Sequence, residues 1–165
     1  MVPVSAPAPS KVNGATKTGN EGEAVTFEGS SSNAGVLDTH TIRWNFGDGT
    51  EKLNELGPSH VYKDNRTYKV TFDVTDKGGD VGSANIDVEI ANLPPTASLG
   101  AAKLVSEGEL TVFNSSVSDP GENDTHSFLW DFGAGGQSVD GGSEVTHHYP
   151  DEGTFIVTVT DDDGA

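Results

Sequence analysis

The sequence lies on itself when displaced by 86 residues. Glu21-Gly22-Glu23 falls on Glu107-Gly108-Glu109, Phe27 on Phe113, and Asp38-Thr39-His40 on Asp124-Thr125-His126. Trp44, Phe46 and Gly47 fall on Trp130, Phe132 and Gly133, with no gap from 21 to 47. After one inserted residue the match resumes: His60, Tyr62, Thr67 and Val70 lie on His147, Tyr149, Thr154 and Val157. A repeat of this kind means two copies of one structural unit. About 86 residues is a sensible size for a small sandwich. The expected boundaries are an N-terminal linker at 1–8, a first domain at 9–91 and a second at 92–165. Pro94-Pro95, inside IANLPPTASL, stiffens the junction and cannot donate to a ladder.

Each copy reads as strands. Residues 24–28, 40–46, 67–75 and 84–90 alternate apolar and polar with period two, the pattern of half-buried antiparallel strands. Val25/Phe27, Ile42/Trp44/Phe46, Tyr68/Val70/Phe72/Val74 and Ile86/Val88/Ile90 each share a face. In the second copy the same reading gives Leu110/Val112, Phe128/Trp130/Phe132 and Phe155/Val157/Val159. Turn clusters (GDGT, KDNR, DKGGD) separate the strands, and no segment has helical period. The fold class is therefore all-β. The first copy continues past DKGG into a last strand. The second reaches TDDDGA where that strand should begin, so it is expected to lack it and to expose a ladder edge beside 154–160. A monomer is expected, with pairing along that edge as the alternative.

Charge and residue counts exclude several functions. With 26 acidic and 9 basic residues the formal charge is -17, the opposite of what phosphate binding needs, so a nucleic-acid partner is not expected. No apolar run approaches the ~20 residues of a membrane span. The start, MVPVSAPAPS, lacks the basic and apolar regions of a signal peptide. Cysteine is absent, which removes disulfides, thiol catalysis and Cys-ligated zinc. There is no nucleophile elbow and no HExxH helix, so no catalytic residues and no enzymatic activity are expected. The 2 Trp, 3 Tyr and 7 Phe all fall at inward or motif positions, leaving no flat ring for a sugar. The paired histidines His40/His126 and His60/His147 sit beside Thr or Tyr and read as structural. His147 and His148, adjacent on a strand, point to opposite faces and chelate poorly.

The motifs resemble the polycystic-kidney-disease-type domain, the PKD module. Trp44-Asn45-Phe46-Gly47-Asp48-Gly49, His60-Val61-Tyr62 and Thr67-Tyr68 through Thr75-Asp76 carry the likeness in the first copy. Trp130-Asp131-Phe132-Gly133, His147-His148-Tyr149 and Gly153-Thr154-Phe155 through Asp161-Asp162-Asp163-Gly164 carry it in the second. Ala134-Gly135 departs from the family's Asp-Gly turn, and Arg66 stands where glycine is usual. The resemblance implies two tandem immunoglobulin-like antiparallel sandwiches, the second without its last strand. It implies an extracellular or cell-surface spacer or interaction module, joined to other domains of a parent protein and meeting protein or glycan ligands. The alternative is a polysaccharide- or collagen-targeting accessory module of an extracellular hydrolase.

The acids add one expectation. Residues 104–165 hold 13 acidic residues and no basic one. In an immunoglobulin-like sandwich the start of the domain, the B–C loop and the F–G loop share one end. For the second copy these supply Asn92, Asp119 to Asp124 and Asp161 to Asp163. The resemblance further implies calcium bound through an asparagine at the domain start and the aspartate of Ser118-Asp119. Asn92, Asp119, Asp124 and Asp162 are the expected calcium ligands, hard oxygen donors of the kind that ion prefers. The first copy has Ser32-Asn33 there and Ala6 for Asn92, so its own site should be weaker.

Overall fold

A computed structural model of the chain describes residues 11–12, 16–31, 39–133, 135 and 138–163. The 1–8 linker, Ser32, Asn33 and Ala134 lie outside the described residues. The chain divides into two compact units, Met1–Asn92 and Leu93–Ala165. Among the described residues every regular element is a strand.

The first unit contains β1 (Lys11–Val12), β2 (Lys17–Asn20), β3 (Ala24–Thr26), β4 (Gly29–Ser30) and β5 (Thr41–Asn45). It continues through β6 (Glu51–Leu53), β7 (Ser59–Val61), β8 (Thr67–Thr75) and β9 (Val81–Ala91). One sheet runs β2-β9-β8-β5-β6, and β3-β7 and β1-β4 are separate two-stranded ladders. All ladders are antiparallel except β2–β9, which is parallel, with Lys17 opposite Val88 and Asn20 opposite Ala91. A parallel pair needs a long crossover, and nearly the whole unit lies between these two strands.

Alternation decides the core. Along β8, Tyr68, Val70, Phe72 and Val74 turn inward, and along β9 Ile86, Val88 and Ile90 do the same. Val25, Phe27, Trp44, Phe46 and Tyr62 complete the cluster. Trp44 is fully buried, its ring centroid 4.6 Å from that of Phe72 and 5.6 Å from that of Phe27. Its indole N–H donates to the Glu55 carbonyl at 2.9 Å, so the one polar atom of a large buried ring is satisfied. The Tyr62 hydroxyl likewise donates to the Phe46 carbonyl at 3.2 Å.

The second unit contains β10 (Thr96–Leu99), β11 (Thr111–Ser118), β12 (Ser127–Asp131), β13 (Val139–Gly141), β14 (Glu144–His147) and β15 (Thr158–Asp162). They form two three-stranded sheets, β10-β11-β14 and β13-β12-β15. The polar anchors of the first unit recur. The Trp130 indole donates to the Gly142 carbonyl at 3.0 Å, and the Tyr149 hydroxyl to the Phe132 carbonyl at 3.1 Å.

One difference from expectation matters. Leu110 and Val112 face outward, 66% and 41% exposed, while Phe113 packs against the core. A slip of one residue exchanges the two faces of a strand. The inward positions are those aligned with Val25 and Phe27, namely Thr111 and Phe113. No strand in the described part of the second unit corresponds to β9. β15 begins only at Thr158, and residues 153–157, aligned with the first half of β8, form no ladder. Each buried aliphatic side chain contributes about 1.5–3 kcal/mol. In the second unit Phe113, Phe128, Phe155, Val157 and Val159 are only partly buried.

Candidate cation site in the second unit

β11 ends at Ser118, and Asp119 opens the loop that leads to β12. Asp119 Oδ1 accepts the Gly121 N–H at 2.9 Å. This local turn is what an aspartate before Pro-Gly favours, and it fixes the carboxylate's direction. The other oxygen, Oδ2, is buried without a hydrogen bond. Only 4% of the Asp119 side chain is exposed. Carboxylate oxygens of Asp119 and Asp124 lie within 4.8 Å of each other.

Another buried acid, outside the Asp119 and Asp124 pair, comes from β15. The strand pairs Phe128 with Asp161 and Trp130 with Val159. Alternation then turns Val159 and Asp161 inward and Asp162 outward, where Asp162 is exposed. The Asp161 side chain is 1% exposed, and neither of its oxygens has a hydrogen bond. Its Oδ2 is 3.0 Å from His126 Nδ1, an ion-pair distance, and Asp119 Oδ2 is 3.8 Å from His126 Nε2. Asp119 and Asp161 thus flank one imidazole. Even a protonated ring balances only one of two charges. A buried ionised carboxylate without a partner costs far more than a neutral polar group. A hard divalent cation taking carboxylate oxygens fits the Asp119 and Asp124 pair.

Of the expected ligands, Asp119 and Asp124 are brought together, and Asp162 points away from them. Asn92 is the last residue of the first unit, and its side-chain oxygen is buried. The sequence places Asp161 in the Asp161-Asp162-Asp163 run at this end of the domain without singling it out, and reads His126 as structural. The alternation continuing from Val157 and Val159 is the signal that selects Asp161.

The first unit has a different polar cluster at the end of β5. Asp48 Oδ1 accepts the Thr50 amide at 2.9 Å and the Thr50 hydroxyl at 2.6 Å, and Asp48 Oδ2 lies 2.6 Å from His60 Nε2. His60 stacks on Phe46 at 4.2 Å. Burial opposes the Asp48 charge, but the bonds from Thr50 and His60 outweigh it and hold its pKa below the usual value. This is a locked turn, satisfied within itself. In the second unit His147 stacks on Phe132 at 4.0 Å with its Nε2 buried and without a hydrogen bond.

These features define a pair of small β-sandwich modules built on aromatic cores. The chain belongs to the PKD domain family, whose model matches residues 5–90 and again 92–165. A collagenase ColA of Bacillus cereus is 29% identical over 116 residues, 62% of this chain and 12% of the collagenase. The collagenase ColA of Clostridium perfringens is 30% identical over 73 residues, 44% of this chain and 6% of that protein. The chain therefore corresponds to a small part of each of these relatives. Among solved structures, one described for the promiscuous specificity of carbohydrate-binding modules of the β-sandwich superfamily overlaps 95% of this chain and 84% of its own. The TM-score is 0.46 and the identity 15%. A complex of Dpr2 Ig1-Ig2 with DIP-Theta Ig1-Ig3 overlaps at a TM-score of 0.38 and 13% identity, over 95% of this chain and 64% of that one.

Proposed function

We propose that this chain is a non-enzymatic pair of PKD modules within a larger extracellular or cell-surface protein. It acts as a spacer and contact module, and its second copy is stabilised by calcium. The observation that carries the reading is the fate of the polar and aromatic side chains. All twelve aromatic rings are buried or half-buried, and the Trp and Tyr polar atoms described above are spent on backbone carbonyls. Among the described residues, Asp119 and Asp161 keep buried carboxylate oxygens without a hydrogen bond, and Asp124 lies beside Asp119. Asp119 and Asp124 would hold the ion, and the ion would neutralise carboxylates that the fold buries. Binding to the folded state alone raises stability by linkage. The test is thermal unfolding against calcium. A midpoint that rises with millimolar calcium, falls with chelator, and loses the response in Asp119→Ala supports the reading. A flat response in the parent chain rejects the calcium part of it.

A second reading, targeting of a collagenous substrate for an attached hydrolase, is favoured by the two matched proteins being collagenases. Sedimentation with insoluble collagen, with chitin and cellulose as controls, separates the two. Retention on collagen alone supports targeting, and no retention on any of the three leaves the spacer role.

A further inference from the structure

The stacked histidines of the two copies differ in what their ring nitrogens meet. In the first unit His60 lies on Phe46 and presents Nε2 to Asp48 Oδ2 at 2.6 Å. A proton on that ring completes an ion pair with the carboxylate. In the second unit His147, the last residue of β14, repeats the stack on Phe132 with the rings 3° from parallel. The residue aligned with Asp48 is Ala134, which has no carboxylate. His147 Nε2 is buried and has no hydrogen-bond partner. A neutral ring tolerates such a place at modest cost, whereas a proton there creates a buried charge without a counter-ion. We propose that His147 is a proton switch, which loosens the second unit in mild acid while the first stays folded.

The surroundings of the ring offer a proton no compensation. Phe132 covers one face, and Tyr149 meets the ring edge-on at 4.7 Å with its hydroxyl already donated to the Phe132 carbonyl. Across the ladder β11 sets the neutral Thr111 opposite His147. The titratable neighbour is His148, its ring 6.1 Å away, and in acid it carries the wrong sign. Burial first, and His148 second, favour the neutral form of His147. The unfolded chain takes up the proton near the ordinary histidine value of about 6.5, and the folded chain does so only at lower pH. The contribution of His147 is therefore complete above that value and is lost as pH falls toward the folded one. Charging the ring draws it toward water. That opens its stack on Phe132 and frays the Thr111–His147 end of the β11–β14 ladder. His60 and His147 occupy one position of the repeat, yet a proton finds a carboxylate at the first and none at the second. The tandem thus pairs an acid-tolerant copy with an acid-sensitive one.

The test uses the whole chain in chelator, so that a cation at Asp119 and Asp124 does not contribute. Imidazole NMR follows the titration of His147, and amide hydrogen exchange, corrected for its intrinsic pH dependence, follows local opening. His147 should titrate below the ordinary histidine value. Protection of 144–149 and 111–113 should fall several-fold from about pH 6.5 and level off where the ring titrates, while 67–75 keeps its protection. His147→Gln should remove this loss. His148→Gln takes away a like charge, so the ring should titrate higher and the loss should be smaller. That variant and the ring titration keep the test decisive even if His147→Gln does not fold. The proposal is overturned if His147 titrates at or above the ordinary value. It is also overturned if the loss persists in a folded His147→Gln chain, or if 67–75 opens at the same pH.

Discussion

Asp161 stands opposite Phe128 at the register position where Val74 stands opposite Ile42 in the first unit. The same inward site in two copies of one fold is therefore hydrocarbon in one and a carboxylate in the other. Nothing in the ladder requires the acid.

Replacing Asp161 by Val should accordingly separate folding from ion binding. In chelator the variant should be more stable than the parent, by about 1–3 kcal/mol, because an unsatisfied buried polar group is removed. In calcium the gain should persist, because the Asp119 and Asp124 pair is untouched. Chemical denaturation with and without calcium measures both. An Asp161→Val chain that is less stable than the parent in chelator would show that His126 needs the carboxylate.

Acid should attack the two units at different pH. Burial, and then the neighbouring His148, hold His147 below its ordinary value. Such a group is neutral when folded and takes up a proton more readily when unfolded. Its contribution is complete above about pH 6.5 and is lost as pH falls toward its folded value. Asp48 in the first unit is a depressed carboxylate, and its contribution persists down to about pH 3.9 before fading. Amide exchange followed from pH 7 to 4 should show the second unit weakening first. His147→Gln should flatten that part of the profile, and Asp48→Asn should affect only the lower part. Loss of both units at one pH would contradict the assignment.

Much of this was legible from residues alone, and the exceptions have physical reasons. Two copies, strand periods and the inward Trp44 and Trp130 follow from identity and alternation, which are local. The parallel β2–β9 pair was not legible, because KTGN has no alternation and its partner lies some seventy residues on. The outward turn of Leu110 and Val112 defeated a hydrophobicity reading, since these two apolar residues face solvent while Thr111 is half-buried. For the site, composition pointed to the acidic run, and only the phase of β15 distinguishes Asp161 from Asp162. The Asp48–His60 contact joins β7 to the turn after β5, a tertiary pairing that neither segment announces.

Trp44 tests whether the aromatics are structural. Trp44→Ala should cost about 3–5 kcal/mol, the range for deleting a large buried aromatic. Trp44→Phe should cost less, keeping most of the packing but losing the bond to Glu55. Urea unfolding gives both values. A sub-kcal effect of Trp44→Ala together with lost binding to a polysaccharide would make the ring a ligand platform.

Gly47 and Gly49 separate backbone conformation from space. Both have positive φ, +82° and +93°, in the turn after β5. A Cβ added at Gly47 would lie 2.7 Å from the Lys69 carbonyl oxygen, whereas one added at Gly49 would meet nothing within 4 Å. An L-residue with positive φ costs roughly 1–2 kcal/mol by itself. Gly49→Ala should show that amount and no more, and Gly49→Asn less, since Asn tolerates this region. Gly47→Ala must also push β8 away from the turn, and backbone cannot yield as a side-chain tip can. It should cost clearly more than Gly49→Ala and weaken amide protection at Lys69 and its neighbours. The aligned Gly133 has φ +68° and brings the same kind of clash, its added Cβ meeting the Ile156 backbone. In that copy residues 153–157 are held by no second ladder, so the chain there has room to move. Gly133→Ala should therefore cost less than Gly47→Ala, measured by denaturant unfolding of both variants. An equal or larger cost would mean that residues 153–157 are held as firmly as their counterparts in β8.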